Sequence, residues 1–148
     1  MTEVWFYHLE RARLEQVLPG LLEKTLARGK RALVRAGSPE RVEALDTLLW
    51  TYRDESFLPH GAEQDMAARQ PIFLTCGGDN PNGAEFLFLV DGAEAEDLSG
   101  FERCLTIFDG RDDEATAQAR NFWKRVRDQG LDASYWRQTK TGKWEKQS

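Results

Sequence analysis

The sequence is short of cysteine, of long apolar runs and of positive charge, and each shortage excludes a class of protein. Its two cysteines, Cys76 and Cys104, lack CxxC spacing, which excludes a zinc ribbon or a disulfide scaffold. We expect both to be buried free thiols. No window reaches the roughly 18 apolar residues of a membrane span, and the N-terminus lacks the features of a secretory signal. The sequence therefore predicts a cytoplasmic protein without membrane contact.

The charge is low in total and uneven along the chain. A net charge of −5 disfavours direct binding to a phosphate backbone, which depends on clustered Lys and Arg. Acidic residues become rare after Glu114, however, and residues 120–146 are basic. Such a local basic surface suits an acidic peptide. With 148 residues, 41% of them hydrophobic, the chain is predicted to form a single globular domain.

Strand and helix patterns alternate along the chain. Short runs of β-forming apolar residues predict strands at residues 4–9, 31–35, 71–75, 85–90 and 104–108. Amphipathic periodicity predicts helices at residues 11–28, 39–50 and 112–129. This order predicts an α/β fold, a three-layer α/β/α sandwich with a mainly parallel, Rossmann-like sheet.

Two segments of the chain are less regular. The polar residues 91–100 suit a short helix. Residues 131–148 are basic and aromatic, and they either complete the sheet or add to the basic surface. Aromatic side chains beside cations also make direct binding of single-stranded DNA by this segment a hypothesis.

The usual signals of catalysis are missing. His8 and His60 have no neighbours at metal-ligand spacing, so both are predicted to be structural. The sequence contains neither GxGxxG after its first strand nor GxxxxGK[ST], the loops that hold phosphates. Asp91 follows the apolar part of the run FLFLVDG and imitates a magnesium-binding carboxylate. Because the sequence has no phosphate loop to accompany it, Asp91 is predicted to be a turn residue or a helix cap. A small nucleotide- or metal-dependent enzyme, with its site near Asp91 and residues 77–78, is the alternative function.

The predicted helix at residues 112–129 has two faces. One face suits packing on a sheet and consists of Ala115, Ala119, Phe122 and Val126. The other, centred about 120° away, is called here the cationic stripe and consists of Arg120, Trp123, Lys124 and Arg127. The stripe is either a solvated face with Trp123 resting on the C-terminal segment, or a site for a peptide that has carboxylates and an aromatic end.

The segment after the second helix is unusually aromatic. Periodicity is lost over residues 51–70, and a loop of this length in a small domain is typically functional. The end of the predicted helix and the start of this loop contain Trp50, Tyr52, Phe57 and Pro59 within ten residues. These side chains either cover the sheet edge or form an apolar patch rimmed by charge, as at a protein interface. The supply of core residues elsewhere favours the interface.

Six strings along the chain carry a resemblance to one family. They are FYHL (6–9), RGKRALV (28–34), LDTLLWTYRDESFLPHG (45–61), PNGAEFLFLVDGA (81–93), FDG (108–110) and YW (135–136). The string LLWTYRDESFLPH is specific, and the others gain weight because they extend the similarity along the chain. Through them the chain resembles the chi subunits of bacterial DNA polymerase III holoenzyme.

The resemblance implies a replication adaptor with no catalytic activity, no cofactor and no metal. Chi subunits join the clamp loader through the psi subunit and bind the acidic, Phe-terminated tail of single-stranded DNA-binding protein, so that DNA is contacted only indirectly. The resemblance implies tail binding at Arg120, Trp123 and Lys124, to which the stripe adds Arg127. Some chi subunits have Tyr where this chain has Trp123, and residues 137–148 extend beyond the shorter members.

The resemblance also implies a psi-binding surface at Trp50 and Phe57, with Pro59 beside them. An iron–sulfur repair helicase is a further expected partner of this surface.

Overall fold

The structure is a computed structural model of the chain. It describes residues 2–10, 12–51, 60–61, 71–77, 80, 82–95, 98, 100–139, 141 and 143–147. For four of these, residues 50, 51, 60 and 61, it describes the backbone alone. None of the helices in these residues combines the length and the apolar character that crossing a membrane requires.

Strands and helices follow one another in the predicted alternation. In chain order they are β1 (Glu3–Leu9), α1 (Leu14–Ala27), β2 (Ala32–Arg35), α2 (Pro39–Thr51), β3 (His60–Gly61), β4 (Ile72–Thr75), β5 (Phe86–Leu89), β6 (Arg103–Asp109), α3 (Asp113–Asp128), β7 (Asp132–Gln138) and β8 (Trp144–Lys146). The strands form one sheet in the order β3-β4-β2-β5-β6-β1-β7-β8. All pairs are parallel except β7 with β8.

Helices cover both faces of this sheet. On one face, α1 and α2 bury Leu18 and Leu45 in a core cluster that includes Tyr7 of β1. On the other face, α3 buries Phe122 in a second cluster that includes Phe6. The predicted α/β fold, with three layers and a mainly parallel sheet, is confirmed.

Local chemistry explains where α2 and α3 begin and end. Pro39 is the first residue of α2, and the Ser38 hydroxyl oxygen accepts a hydrogen bond from the Arg41 backbone N–H at 3.3 Å. The Asp112 carboxylate accepts hydrogen bonds from two backbone N–H groups in the first turn of α3. After α3, Gly130 takes the left-handed conformation, with φ of 75°, that favours glycine at a helix end. These predicted boundaries are confirmed.

The C-terminal segment completes the sheet. Of the two roles predicted for residues 131–148, completing the sheet is confirmed, because β7 pairs with β1 and β8 pairs with β7. Residues on β7 point alternately to the two faces, so Tyr135 packs with the α3 cluster and Trp136 with the α1 and α2 cluster. Half-buried aromatic side chains thus replace the continuous apolar run of a central strand.

Two smaller predictions are corrected. The described part of residues 91–100 consists of turns and irregular backbone instead of a short helix, with Asp91 and Gly92 at φ values of 51° and 80°. Cys104 is buried, and its burial raises the pKa of the thiol to about 12. Cys76 is exposed because it follows the end of β4 in a surface turn, so only one of the two thiols is buried.

Candidate functional site

The cationic stripe is presented by a helix whose other face is firmly packed. Ala119, Phe122 and Val126 are 9%, 8% and 1% exposed and pack on the sheet, as predicted. The helical repeat then turns the stripe away from this core. Three of its members, Arg120, Lys124 and Arg127, are exposed, and Trp123 is partly buried at the boundary.

Trp123 lies at the edge of an aromatic surface that spans α3 and the sheet. Its ring centroid is 5.1 Å from that of Phe6 on β1 and 6.3 Å from that of Tyr135 on β7, in both cases edge to face. Tyr135 is also partly buried, and it contacts the rings of His8 and Phe108. We call Trp123 and Tyr135 the aromatic shelf. Trp123 therefore does rest on the C-terminal segment, and the same contact holds the indole beside the cations.

The cations of the stripe lie close to this shelf. The Arg127 guanidinium is 5.8 Å from the centre of the Trp123 ring. Burial raises the pKa of the Tyr135 hydroxyl, and the positive charge of Arg120 opposes that rise. Arg120 lies about one helical turn before Trp123 on the same stripe, and Trp123 contacts Tyr135, so the stripe and the shelf adjoin one another between α3 and β7.

Within the described residues, no carboxylate forms an ion pair with Arg120, Lys124 or Arg127. Three other arginines lie 2.8–3.2 Å from a carboxylate: Arg41 from Asp91 and Glu15, Arg103 from Glu3, and Arg111 from Asp109. Other exposed cations, such as Arg28 and Arg125, also have no ion pair among the described carboxylates, so the stripe is distinguished by having three such cations around a partly buried tryptophan. Such cations are suited to bind the carboxylates of a ligand.

His8 supports the shelf from beneath. Its Nδ1 is hydrogen-bonded to the Tyr135 hydroxyl, and its Nε2 is 3.9 Å from the Glu10 carboxylate. Gly110 packs so closely on the imidazole that any side chain at this position would collide with the ring. The pKa of His8 is lowered, chiefly by burial and then by Arg137, while Asp109 acts in the opposite direction.

Sequence reasoning did not assign Tyr135 or His8 to a site. The alternation in DASYWRQ is the signal that was available, because it places Ala133 and Tyr135 on one side of a strand. Knowing that β7 lies beside β1 was also necessary, and a single sequence does not contain that information.

The alternative site near Asp91 lies at the carboxyl ends of β1, β5 and β6. A cleft of about 630 Å³ opens there, and its lining includes Asp91, Asp109 and Asp112. Asp91 is a turn residue, as predicted, and its carboxylate is bonded to Arg41 at 2.9 Å. The Asp112 carboxylate already occupies the N-terminus of α3, where a phosphate would bind. The described residues contain no group of three potential metal ligands.

The predicted psi-side residues lie outside the described side chains. Trp50 belongs to α2 by its backbone, and Phe57 and Pro59 are outside the described residues. The structure does describe the inward face of α2, in which Leu45 and Leu49 are 1% and 2% exposed. The core-forming role predicted for this helix is thus confirmed, and the interface at its end stays a prediction.

Known proteins with similar sequences indicate the family. Residues 1–134 match the family described as "DNA polymerase III chi subunit, HolC". Over 109 residues the chain is 26% identical to a protein of Rickettsia prowazekii (strain Madrid E) named "Probable DNA polymerase III subunit chi". That match covers 73% of this chain and 66% of the relative, just under two thirds of its length. The chain belongs to the family of DNA polymerase III chi subunits.

Proposed function

We propose that the protein is a non-catalytic accessory subunit of bacterial DNA polymerase III that binds the acidic, Phe-terminated tail of single-stranded DNA-binding protein. One observation carries the proposal. The exposed cations Arg120, Lys124 and Arg127 have no ion-pair partner among the described carboxylates and surround the partly buried Trp123. A ligand that supplies both carboxylates and an aromatic ring matches this arrangement, and membership of the chi family supports the choice of partner.

Each member of the stripe has a distinct part in the proposed complex. The Arg120 guanidinium binds a tail carboxylate through two parallel hydrogen bonds. Trp123 offers apolar surface to the terminal Phe, while Lys124 and Arg127 add positive potential that attracts the acidic segment. The charged contacts lie at the surface, so raising the salt concentration weakens the complex.

A nucleotide- or metal-dependent reaction at the cleft near Asp91 is less well supported. The carboxylate of Asp112 occupies the backbone donors of α3, and Asp113 and Glu114 add negative charge at the same place. This helix end repels the phosphates that a nucleotide would bring.

A second proposed contact joins the protein to the psi subunit, and through it to the clamp loader. Its residues are Trp50, Phe57 and Pro59, and an iron–sulfur repair helicase is a further proposed partner of the same surface. This proposal rests on family membership and on the aromatic string LLWTYRDESFLPH. Large apolar side chains of this kind are the usual anchors of protein interfaces.

Titration calorimetry with a synthetic acidic peptide ending in Phe tests the tail site. Arg120→Ala should weaken binding by about 1.5–3 kcal/mol, because a charge-assisted hydrogen-bonded contact is lost. Arg125→Ala is the matched control, since Arg125 is an exposed arginine of the same helix that lies over the Phe122 ring and lines the cleft near Asp91. Equal affinities of the wild-type and Arg120→Ala proteins would contradict the proposal.

A pull-down with the same Arg120→Ala variant separates the two proposed surfaces. It should lose single-stranded DNA-binding protein and keep psi, whereas Trp50→Ala should do the reverse. Loss of both partners in either variant would show that the two surfaces are not independent.

A further inference from the structure

Tyr135 stands beside the proposed tail site but on a different element. It belongs to β7, and it is the first residue after the segment matched to the family, residues 1–134. Its ring forms the aromatic shelf with Trp123, which lies about one helical turn after Arg120 on the same face of α3. A peptide carboxylate bound by Arg120 would therefore approach the Tyr135 hydroxyl.

The Tyr135 hydroxyl is held by His8, which is itself confined from two sides. His8 Nδ1 is hydrogen-bonded to it, and the imidazole is confined between the Phe108 ring, 5.1 Å away between centroids, and Gly110. A side chain held in this way loses little conformational entropy when it binds a ligand.

The protonation state of His8 decides what Tyr135 offers. The Glu10 carboxylate, 3.9 Å from Nε2, favours the neutral tautomer that carries its proton on Nε2. In this tautomer Nδ1 accepts the phenol proton, and the Tyr135 oxygen is left only as an acceptor, which does not suit a carboxylate. The imidazolium instead donates its Nδ1–H to the Tyr135 oxygen. The phenol O–H is then free to donate a hydrogen bond to a peptide carboxylate.

We propose that the tail site extends across the aromatic shelf to Tyr135, whose hydroxyl donates to a tail carboxylate, and that His8 is the positioning residue that makes this donation pH-dependent. This inference rests on the proposed function. It adds a ligand contact on β7 and a pH response, neither of which follows from the cationic stripe alone.

The surroundings of His8 give the direction of the response. Charged groups face it from three strands or strand ends: Glu10 after β1, Asp109 of β6 and Arg137 of β7. Arg137 pairs with Glu10, so these two charges partly offset one another. Burial, and then Arg137, lower the pKa of His8, so the imidazolium forms only at a pH below the ordinary range of histidine. Carboxylates titrate at lower pH still in their ordinary range. Tail affinity should therefore rise as the pH falls through the pKa of His8.

Peptide calorimetry on the full chain at pH 5.5 and 7.5 tests the contact. The wild-type protein should bind about fivefold more tightly at the lower pH, and Tyr135→Phe should weaken binding at pH 5.5 by about fivefold to tenfold, because one charged hydrogen bond is lost while the ring is kept. His8→Gln should flatten the pH dependence.

A comparison with Arg120→Ala separates the possible failures. If Arg120→Ala weakens binding and Tyr135→Phe does not, the extension is wrong and the proposed tail site stands. If Arg120→Ala has no effect, or if the wild-type protein does not bind the peptide, both are wrong.

A measurement on proteins that keep Tyr135 guards against a folding defect in its variant. The chain has two histidines, so His60→Asn leaves the His8 imidazole as the single histidine signal in a proton NMR titration. Because linkage is reciprocal, the peptide should raise the pKa of His8. An unchanged pKa in the presence of saturating peptide would overturn the inference.

Discussion

Each face of the sheet carries a tryptophan beside an arginine, but within the described residues only one of these arginines is paired with a carboxylate. On the face of α1 and α2, the Arg103 guanidinium lies 3.8 Å from the Trp5 ring centre and 3.2 Å from the Glu3 carboxylate. On the α3 face, Arg127 lies 5.8 Å from the Trp123 ring centre and has no ion-pair partner among the described carboxylates. The same residue types thus serve the fold on one side and, in the proposed function, a ligand on the other.

The position of a carboxylate accounts for this difference. Glu3 neutralises Arg103 and holds it over Trp5, so the guanidinium has little charge available to bind a partner. The cations of α3 keep their charge exposed to solvent, where an acidic peptide can reach it. The two tryptophan–arginine pairs therefore differ in whether a described carboxylate neutralises the arginine.

The largest expected effect comes from removing an aromatic residue of β1. Phe6 is 1% exposed and lies beneath Trp123, so Phe6→Ala should lower the free energy of unfolding by about 3–5 kcal/mol through lost burial and a new cavity. Trp5→Ala, at the adjacent but partly exposed position, should cost less. Urea unfolding measures both. Equal losses would mean that the two faces depend equally on their β1 aromatic residue.

Removing one arginine from each face tests the comparison, with Arg120, the proposed carboxylate-binding residue of the stripe, representing the α3 face. Arg103→Ala should lower the free energy of unfolding by about 1–2 kcal/mol, since it removes a cation–π contact and a partly exposed ion pair, and it should leave peptide affinity unchanged. Arg120→Ala should lose peptide affinity and change stability by less than about 0.5 kcal/mol. Denaturation and calorimetry on both variants give the four values. A loss of peptide affinity in Arg103→Ala would end the distinction between the faces.

The smallest effect comes from supplying the missing counterion. Ala117 is exposed and lies three residues before Arg120 on α3, so Ala117→Glu places a carboxylate beside that guanidinium. The pair should stabilise the helix by about 0.2–0.5 kcal/mol and weaken peptide binding by about twofold to threefold. Ala117→Gln is the control for size. If the glutamate and glutamine variants bind the peptide equally, the lack of an internal counterion is not what makes the stripe available.

Periodicity predicted the regular parts of the fold well. Apolar spacing located α1, α2, α3 and the strands β1, β2, β4, β5 and β6, because residues a few positions apart share a helix face or a strand face whatever the rest of the chain does. The same reasoning missed β7, which has half-buried aromatic residues in place of a continuous apolar run. It also missed the difference between Cys76 and Cys104, since exposure depends on where a strand ends in the sheet.

The sequence by itself determined the α/β class, the amphipathic α3 and the cationic stripe, because these follow from contacts between residues close along the chain. The tertiary structure alone decided that β7 lies beside β1, and this brings His8 to Tyr135 across 127 positions of sequence. Strand order is set by long-range packing, which the local pattern of a single strand does not encode. This packing places Tyr135 of the sheet beside Trp123 of the cationic stripe, so that the helix and the sheet share one surface.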